Sequence, residues 1–434
     1  MDFNSVLYII IYISLWSIVL IIHQRFIKRI GLASIIITSY LFYSICSLFL
    51  FINLKEIHIS DFVKADKILD LFPFLYLFSA LLIFLNPVIL FDRYNINKIH
   101  KPSSYIVNSF LMLFFVSNLL SLFKIIPRIQ NGLTLILTTR YGGSELYAEA
   151  HNVEFTSGNL NILGFVNSSC SDIGILFIFY YLTYCKNKIY VISLFILIFI
   201  SVLDPIARGL RTETIMKIFL IIVSYYMFHQ FYSPSLNSKI KRIGIISVIL
   251  ISIPTIALSI SRFGNSDGGT LGGTVSYIGQ ANLNFNNYCL DANGTRNGDR
   301  TCNMFKKMLG FENVPESIME TRAKYRYMKI DDGSFYTFIG DFVLDFGPTI
   351  AFIIIIIISI SISRITICQN KTINFHQLLC IYFVVAISIQ GGMYLFHYSF
   401  SGNWKIIVFI LFYILMKMDY NNKRKHEYIN IKSQ

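Results

Sequence analysis

Charged side chains are scarce in this chain, and that scarcity decides its class. Only 14% of the 434 residues are charged, whereas 55% are hydrophobic; a soluble globular domain has roughly 25% charged residues. The composition therefore excludes a soluble globular enzyme. Apolar runs of about 17 to 23 residues recur along the chain, and each is long enough to cross a bilayer as a helix. These runs do not alternate in polarity, which excludes an outer-membrane β-barrel.

Several motifs are also missing. No glycine-rich phosphate loop with Lys-Ser/Thr precedes a helix, which argues against ATP-driven work, and no Cys or His group has zinc-ligand spacing. We find no internal repeat and no inverted pair of Gly/Pro-broken spans of the kind that marks many transporters. No small-residue cleavage site follows the first apolar stretch, from Val6 to Ile22, so we predict a retained helix rather than a signal peptide.

Hydropathy predicts an all-α helical bundle, one integral membrane domain over residues 1–434 with about eleven transmembrane helices. The predicted spans lie near residues 6–23, 31–53, 71–91, 106–123, 162–184, 189–203, 214–232, 244–260, 340–363, 377–396 and 405–418. Basic residues resist translocation, and the tail 419–434 carries Lys423, Arg424, Lys425 and Lys432. The prediction is an inner-membrane protein with a cytoplasmic C-terminus and an N-terminus on the outer face.

This topology gives the outer face two long loops, at 124–161 and 261–339. The second opens with SRFGNSDGGTLGGT from Ser261, which predicts a flexible, turn-prone stretch. Neither loop has enough apolar residues for the core of a compact domain. Cys289 and Cys302 both fall in the second loop, where a disulfide would close a short loop in an oxidising compartment. A pair of free thiols is the alternative.

The sharpest motif on the outer face is ARGLRTE, from Ala207 to Glu213, in a very short turn between two spans. Arg208 and Arg211 are three positions apart, so they share one face if the turn opens the next helix. A helix N-terminus is itself an anion site, and guanidinium binds phosphate oxygens bidentately. The alternative is that both arginines extend to lipid headgroups.

A second motif, GDFVLDFGP, opens a late span directly after the second loop. Its Asp341 and Asp345 are four positions apart, on one helical face. They could orient Arg208 or Arg211, or serve a hydroxyl as general base. The alternative is that the positive end of the helix dipole simply favours acidic residues there.

The fifth span is unusually polar and contains Asp172. An ionisable group at that depth should face the bundle interior and have a partner, for which Lys217 is the candidate. A structural pair and a role in a substrate cavity both stay open. The three external histidines, His58, His151 and His397, are isolated and are predicted to be structural.

The cytoplasmic loops are too short to form a nucleotide-sugar domain. A transferase that acts on the outer face therefore needs an activated donor that arrives in the membrane. A polyprenyl-diphosphate-linked sugar fits this requirement. Its lipid would run between spans, its diphosphate would meet the arginines, and its glycan would enter the polar loops.

Four local motifs, taken in order, carry a resemblance to a known family. They are RYGGSELYAE at 140–149, ARGLRTE at 207–213, VSYIGQANLNFNN at 275–287 and SFYTFIGDFVLDFG at 334–347. With these motifs on the outer face of a polytopic bundle, the chain resembles the Wzy-type oligosaccharide repeat-unit polymerases, which make O-antigen and related bacterial polysaccharides.

The resemblance implies a GT-C-like glycosyltransferase without metal, nucleotide or other cofactor. The donor would be the growing glycan on undecaprenyl diphosphate, and the acceptor a sugar hydroxyl of a new lipid-linked repeat unit. Arg208 and Arg211 would neutralise the leaving diphosphate, and Asp341, Asp345 and Glu213 compete for the role of base. The candidate substrate-binding residues are Arg140, Tyr141, Asp172, Arg322 and Gly347.

Three rival functions stay open at this point. An O-antigen ligase is similar in span number and donor, but such ligases carry an important loop histidine, and residues 261–339 contain none. A lipid-linked oligosaccharide flippase or other transporter would have short loops throughout. The third rival is a non-catalytic subunit of a polysaccharide assembly complex. The expected partners are membrane lipids, a chain-length regulator and a flippase; nucleic acid is not expected, because much of the +13 net charge anchors cytoplasmic loops.

Overall fold

The computed structural model describes residues 2–53, 68–94, 96–138, 162–184, 188–263, 269–316, 318–330, 334–368 and 371–432. The described chain is mostly helical. Its longer helices are α1 (Phe3–Ile27), α2 (Leu32–Ile52), α3 (Leu71–Arg93), α4 (Ser104–Thr138), α5 (Ile162–Tyr184), α6 (Lys188–Ala207), α7 (Arg211–Phe228), α8 (Pro234–Phe263), α9 (Gly269–Asn284), α13 (Pro348–Ile365), α14 (Phe375–Gln390) and α15 (Ser399–Lys432). The shorter elements are α10 (Asn303–Met308), α11 (Ile318–Lys324), α12 (Thr337–Phe346), β1 (Lys98–His100) and β2 (Thr372–Asn374).

Long apolar helices make this a membrane protein. Six of the described helices are long and apolar enough to cross a bilayer, and α4 makes a seventh if its two arms, bent by 52°, form one span. The six are Phe3–Ile27, Leu32–Ile52, Leu71–Arg93, Thr212–Phe231, Pro234–Ser261 and Pro348–Ile365. Large apolar side chains on their outer faces stay exposed, for example Ile249 and Ile357 at 58% each, which suits contact with lipid rather than water.

The predicted spans each overlap a described helix, but only those six or seven meet the length and hydropathy of a crossing. The predicted span at 340–363 is two helices, α12 and α13, which meet at Gly347. Its φ of 81° lies in the left-handed region that favours glycine, and Pro348 opens α13 at a position where proline is favoured. Gly347, predicted to bind substrate, therefore serves here as the joint between two helices.

An aromatic core joins α1, α2 and α3. Trp16 is fully buried and packs on Tyr40 of α2 with ring centroids 5.0 Å apart, and Tyr12 packs on Phe74 of α3 at 5.1 Å. The Tyr40 hydroxyl donates to the carbonyl of Ser388 in α14 at 2.8 Å, so its polar tip is satisfied inside the bundle. These contacts bring the N-terminal and C-terminal parts of the chain into one core.

At the opposite end of α2 from the second long loop, Asp92 fixes how three helices meet. Its carboxylate accepts from the backbone amides of Leu32 and Ala33 at 3.0 and 2.8 Å, which caps the N-terminus of α2. His23 Nε2 lies 3.2 Å from the same carboxylate. The parallel pairing of β1 with β2 lies in the same connecting region.

We expect Gly31→Ala to destabilise the protein by about 1 to 3 kcal/mol. A Cβ at position 31 would lie 2.2 Å from Asp92 Oδ2, so the carboxylate would be pushed away from the amides it caps. Thermal unfolding of the purified protein in detergent measures the effect. Gly244→Ala in α8 is the control, because nothing lies within 4 Å of its Cβ position. Equal melting temperatures for the two variants would contradict the expected clash.

The glycine-rich start of the second long loop is not wholly irregular, contrary to the prediction. Residues from Gly269 form α9, which packs along α2. A Cβ on Gly279 would lie 2.6 Å from the carbonyl oxygen of Cys46, so glycine here lets two helices approach closely. The Gly279 carbonyl accepts from the Ser47 hydroxyl at 2.7 Å, and residues 264–268 lie outside the described part.

The first long loop and the C-terminal tail are also more helical than predicted. α4 continues to Thr138, so the predicted loop 124–161 is helical over its first part, and residues 139–161 lie outside the described residues. α15 continues through the basic tail to Lys432. Asp419 of this helix accepts from the amide of Ser103 at 2.7 Å, which ties the tail to the start of α4.

Candidate functional site

The turn between α6 and α7 is built around one glycine. α6 ends at Ala207 and α7 begins at Arg211. Gly209 has a φ of 70°, which costs glycine little, and the amide of Leu210 donates to the carbonyl of Pro205 at 2.8 Å. The chain therefore reverses in a short turn. The ARGLRTE motif spans this turn, from the last residue of α6 into the first turn of α7.

Arg208 is the centre of a chain of ion pairs at this turn. Its Nε lies 3.2 Å from Asp204 Oδ2, and its Nη2 lies 3.0 Å from Glu213 Oε2. Asp204 also pairs with Arg128 of α4 at 3.2 Å. We call these four residues the Arg208 cluster. Arg208 is 24% exposed and Glu213 is 38% exposed, so an anion could reach the guanidinium and a hydroxyl could reach the carboxylate.

Arg208 and Arg211 do not form the predicted helical pair. Arg208 lies in the turn before α7, whereas Arg211 is the first residue of that helix, so the three-residue spacing does not place them on one helical face. The side chain of Arg211 lies outside the described part of the structure. Glu213 stands in the first turn of α7, where the helix dipole favours an acid.

A second polar layer lies deeper in the bundle. Asp172 of α5 pairs with Lys405 of α15 at 3.9 Å, and its backbone carbonyl accepts from the Tyr382 hydroxyl at 2.7 Å. Lys217, the predicted partner of Asp172, instead donates to the carbonyl of Ser201 at 2.5 Å. Even so, the charges of Asp172 and Glu213 both act on Lys217. The layer therefore continues the Arg208 cluster inward.

Asp341 and Asp345 lie in a buried network instead of the predicted site. Arg296, from the second long loop, is fully buried between them, with Nε 2.7 Å from Asp345 Oδ1 and Nη2 3.5 Å from Asp341 Oδ1. The other Asp345 oxygen accepts from the amide of Thr301 at 2.6 Å. Both carboxylates are at most 1% exposed. The predictions that they orient Arg208 or serve as a general base are therefore wrong for this structure, because their oxygens are already paired and no substrate can reach them.

The same network holds the linker between α14 and α15. Asp341 Oδ2 accepts from the amide of Leu395 at 2.8 Å, and Arg300 Nε lies 3.3 Å from Asp341 Oδ1. The guanidinium of Arg300 stacks over the ring of Tyr398, 4.7 Å from its centroid. These ion pairs thus hold three segments together, namely the second long loop, α12 and the linker between α14 and α15. A larger apolar core would otherwise have to do this.

Of the two alternatives for Cys289 and Cys302, a disulfide or a pair of free thiols, the structure has the free thiols. Cys289 is buried under α12, where its Sγ would lie 3.1 Å from a Cβ on Gly340. Cys302 instead accepts from the Thr301 hydroxyl at 3.8 Å. Burial raises the pKa of the Cys289 thiol, which keeps it protonated and unreactive.

The remaining predicted residues are scattered. Arg322 lies partly buried in α11, and its neighbour Lys324 pairs with buried Asp299 at 2.6 Å. Arg140 and Tyr141 lie outside the described residues. Of the predicted site, the structure brings together Arg208 and Glu213 in one cluster, and Asp341 and Asp345 in another.

Sequence analysis missed the partners that decide these roles. Arg296 lies in the polar stretch NGTRNGDR, where nothing marks it as buried. Asp204 precedes Arg208 by four positions at the end of α6, an i, i+4 spacing that could have been recognised. Lys405 is the first residue of the last predicted span. Its pairing with Asp172 is seen only in the folded structure, because the two residues are far apart in the sequence.

No protein-family model matches this chain. Neither the curated proteins nor the solved structures contain a match. Among the described residues, no group of three or more His, Cys, Asp and Glu side chains could hold a metal ion. The function is therefore argued from the geometry of the Arg208 cluster.

His397 lies in the linker between α14 and α15. Its ring is buried, packs on Phe383 at a centroid distance of 5.5 Å, and has no hydrogen-bond partner for Nδ1 among the described residues. Burial, helped by the charge of Lys405 and opposed by that of Asp172, lowers the pKa of His397 to about 4. The imidazole is therefore neutral in the folded protein near pH 7.

This burial predicts a loss of stability in acid. As the pH falls from about 6.5 towards 4, the unfolded chain binds a proton at His397 and the folded chain does not. The loss should reach roughly 3 kcal/mol near pH 4. Between pH 7 and 4 the melting temperature of wild type should fall further than that of His397→Gln, because the variant has no histidine to protonate at this position. His100→Gln, at an exposed histidine, is the control, and parallel curves for wild type and His397→Gln would contradict the prediction.

Proposed function

We propose that this protein polymerises undecaprenyl-diphosphate-linked oligosaccharide repeat units into O-antigen or a related surface polysaccharide, as a Wzy-type glycosyltransferase with a GT-C-like bundle of about eleven spans. It would act on the periplasmic face of the bacterial inner membrane, with its N-terminus periplasmic and its C-terminus cytoplasmic. Its substrates would be lipid-linked glycans, and a chain-length regulator and a flippase of the same pathway are the proposed partners.

The observation that carries this proposal is the accessible, carboxylate-flanked Arg208 at a turn between apolar helices. A diphosphate carried by a membrane lipid would arrive at such a turn, with its prenyl chain alongside the helices. Guanidinium is suited to bind phosphate oxygens bidentately. Arg128 of the same cluster, 46% exposed, supplies a second guanidinium beside Asp204.

In the proposed reaction, the acceptor hydroxyl oxygen forms a bond to the anomeric carbon of the donor glycan. The bond from that carbon to the phosphate oxygen breaks, and its electron pair leaves with undecaprenyl diphosphate. Arg208 would stabilise the charge that develops on the leaving group. Glu213 would receive the hydroxyl proton, since it is the exposed carboxylate among the three candidate bases.

Deletion of the gene in its native host tests the proposal. The expected result is a silver-stained gel in which the polysaccharide ladder collapses to a single repeat unit on the lipid core, and a plasmid copy should restore the ladder. Polymer that accumulates on undecaprenyl diphosphate without reaching the lipid core would favour a ligase. Loss of all periplasmic repeat units would favour a flippase, and an unchanged ladder would reject polymerisation.

A further inference from the structure

A cavity of about 350 Å³ opens at the end of the bundle that also holds Asp92. It shares Ile99 and Phe231 with the walls of a smaller space next to that carboxylate. The cavity lies between β1, the end of α5 and the short turn after α7, and its walls include Lys98, His100, Lys101, Thr183, Tyr184 and Phe231. We call it the β1 cavity. None of its described lining residues is an acid, and its volume is within the range of small-molecule sites.

β1 holds one cationic side chain of this cavity in a fixed position. The strand pairs in parallel with β2, with Lys98 opposite Thr372 and His100 opposite Asn374. Successive side chains of a strand point to opposite faces, so Lys98 and His100 share the exposed face while Ile99 is buried. Lys98 is therefore carried by a paired strand rather than by an irregular loop.

Lys101 is fixed from two sides. Its Nζ lies 4.4 Å from the centroid of the Tyr184 ring, and its carbonyl oxygen accepts from Lys423 Nζ at 3.0 Å. An ammonium has three N–H donors, and an aromatic face covers only one side of it. Lys423 pairs with Asp419 at 3.4 Å, whereas no described carboxylate pairs with Lys98 or Lys101. In the described part of the chain, these two lysines therefore present positive charge to the cavity without an acidic partner.

The β1 cavity lies at the level where apolar helices end. Of the helices able to cross a bilayer, Leu71–Arg93 ends shortly before β1, and Thr212–Phe231 ends in the cavity wall. The hydrocarbon core of a bilayer is bordered by its polar headgroups. A cavity at the ends of two such helices is therefore at headgroup depth.

Cations beside apolar groups at this depth are suited to a phospholipid. Phosphate oxygens would accept from Lys98 and Lys101, and the glycerol and first acyl carbons would lie against Tyr184 and Phe231. Basic residues near a membrane surface attract anionic lipid. Lysines that only fix topology need neither a cavity nor a paired strand. Inorganic phosphate shares the charge of the headgroup but has nothing to place against the apolar wall.

We infer that the β1 cavity binds the headgroup of one anionic phospholipid through Lys98 and Lys101. The bound lipid would connect β1 and α5 with the tail helix α15, which reaches the cavity through Lys423. The inference does not rest on the proposed polymerase activity, since no residue of the cavity belongs to the Arg208 cluster.

Native mass spectrometry of the full-length protein in detergent, titrated with dioleoylphosphatidylglycerol, tests this inference. Wild type should bind one such lipid tightly, and it should bind uncharged dioleoylphosphatidylcholine about tenfold more weakly. Lys98→Gln and Lys101→Gln keep side-chain length but remove charge. Each should weaken phosphatidylglycerol binding about fivefold, and the two together about 25-fold. The double variant with arginine at both positions keeps the charge and should bind within about twofold of wild type.

The double variant Lys239→Gln with Lys241→Gln is the matched control. It also removes two exposed lysines, from the start of α8 just after the same turn, but neither lines the cavity. This control should bind phosphatidylglycerol as wild type does. Melting temperatures without added lipid identify the folded variants, and added phosphatidylglycerol should raise the melting temperature of wild type more than that of Lys98→Gln with Lys101→Gln.

Four results would overturn the inference. The first is wild-type affinity for phosphatidylglycerol in the folded double glutamine variant, or in both single variants if the double variant does not fold. The second is an equal loss of affinity in the matched control, which would show general attraction by surface charge. The third is equal binding of phosphatidylcholine. The fourth is displacement of the lipid by an equal concentration of inorganic phosphate, which would assign the cavity to free phosphate.

Discussion

Arg208→Gln should abolish visible polymer in the host and slow polymerisation of purified lipid-linked repeat units by about 100-fold or more, the usual effect of removing a positioned group that stabilises a developing anion. Arg208 holds the one described guanidinium that lies in the turn between α6 and α7 with carboxylates on both sides. Glutamine keeps hydrogen-bond donors but removes the charge. Arg208→Lys keeps the charge without the bidentate geometry. Its polymerisation rate should therefore lie between those of wild type and Arg208→Gln, about tenfold below wild type.

Two controls separate chemistry from folding in this experiment. Arg326→Gln removes an exposed arginine outside the site and should leave the ladder intact. Arg208→Gln also deprives Glu213 of its partner, so the double variant with Glu213→Gln should regain any lost melting temperature but no activity. Polymer of normal length from a folded Arg208→Gln protein would remove this arginine from the mechanism.

The helices and the Arg208 turn could be predicted from the sequence for physical reasons. A membrane span is recognised from its local composition, because each residue in it must be compatible with lipid. The ARGLRTE motif likewise needs no distant partner to be noticed, since two arginines in a short turn between apolar segments are unusual by themselves. Glu213 follows within the same motif, and its pairing with Arg208 is local.

The roles of Asp341 and Asp345 could not be predicted in the same way. Their spacing on one helical face was evident, but the cation between them lies 45 to 49 positions earlier in the chain. Nothing in the sequence around Arg296 distinguishes a buried guanidinium from an exposed one. The helix α9 escaped prediction for a related reason. Its glycines resemble a flexible loop in isolation and make sense only against the backbone of α2.

Arg296→Met should destabilise the folded protein more than any other single change considered, by about 3 to 5 kcal/mol. The variant would leave Asp345 buried without a cation and Asp341 with Arg300 alone. Charges in so dry a site must be paired, because desolvation is not otherwise offset. Melting temperature in detergent and the amount of protein in the membrane measure the effect.

Lys329→Met is the matched control, since it breaks a surface ion pair of 2.8 Å with Asp291 in which both side chains are more than half exposed. Its cost should be at most about 1 kcal/mol. Adding Asp345→Asn to Arg296→Met should recover part of the stability, because it removes the unpaired charge. Activity per folded molecule should stay near wild type in Asp345→Asn alone, because a carboxylate buried beneath the loop stabilises the fold and does not contact substrate. If Arg296→Met and Lys329→Met have the same melting temperature, the buried network contributes no more to stability than an exposed ion pair does. If folded Asp345→Asn loses activity as Arg208→Gln does, this carboxylate belongs to the chemistry after all.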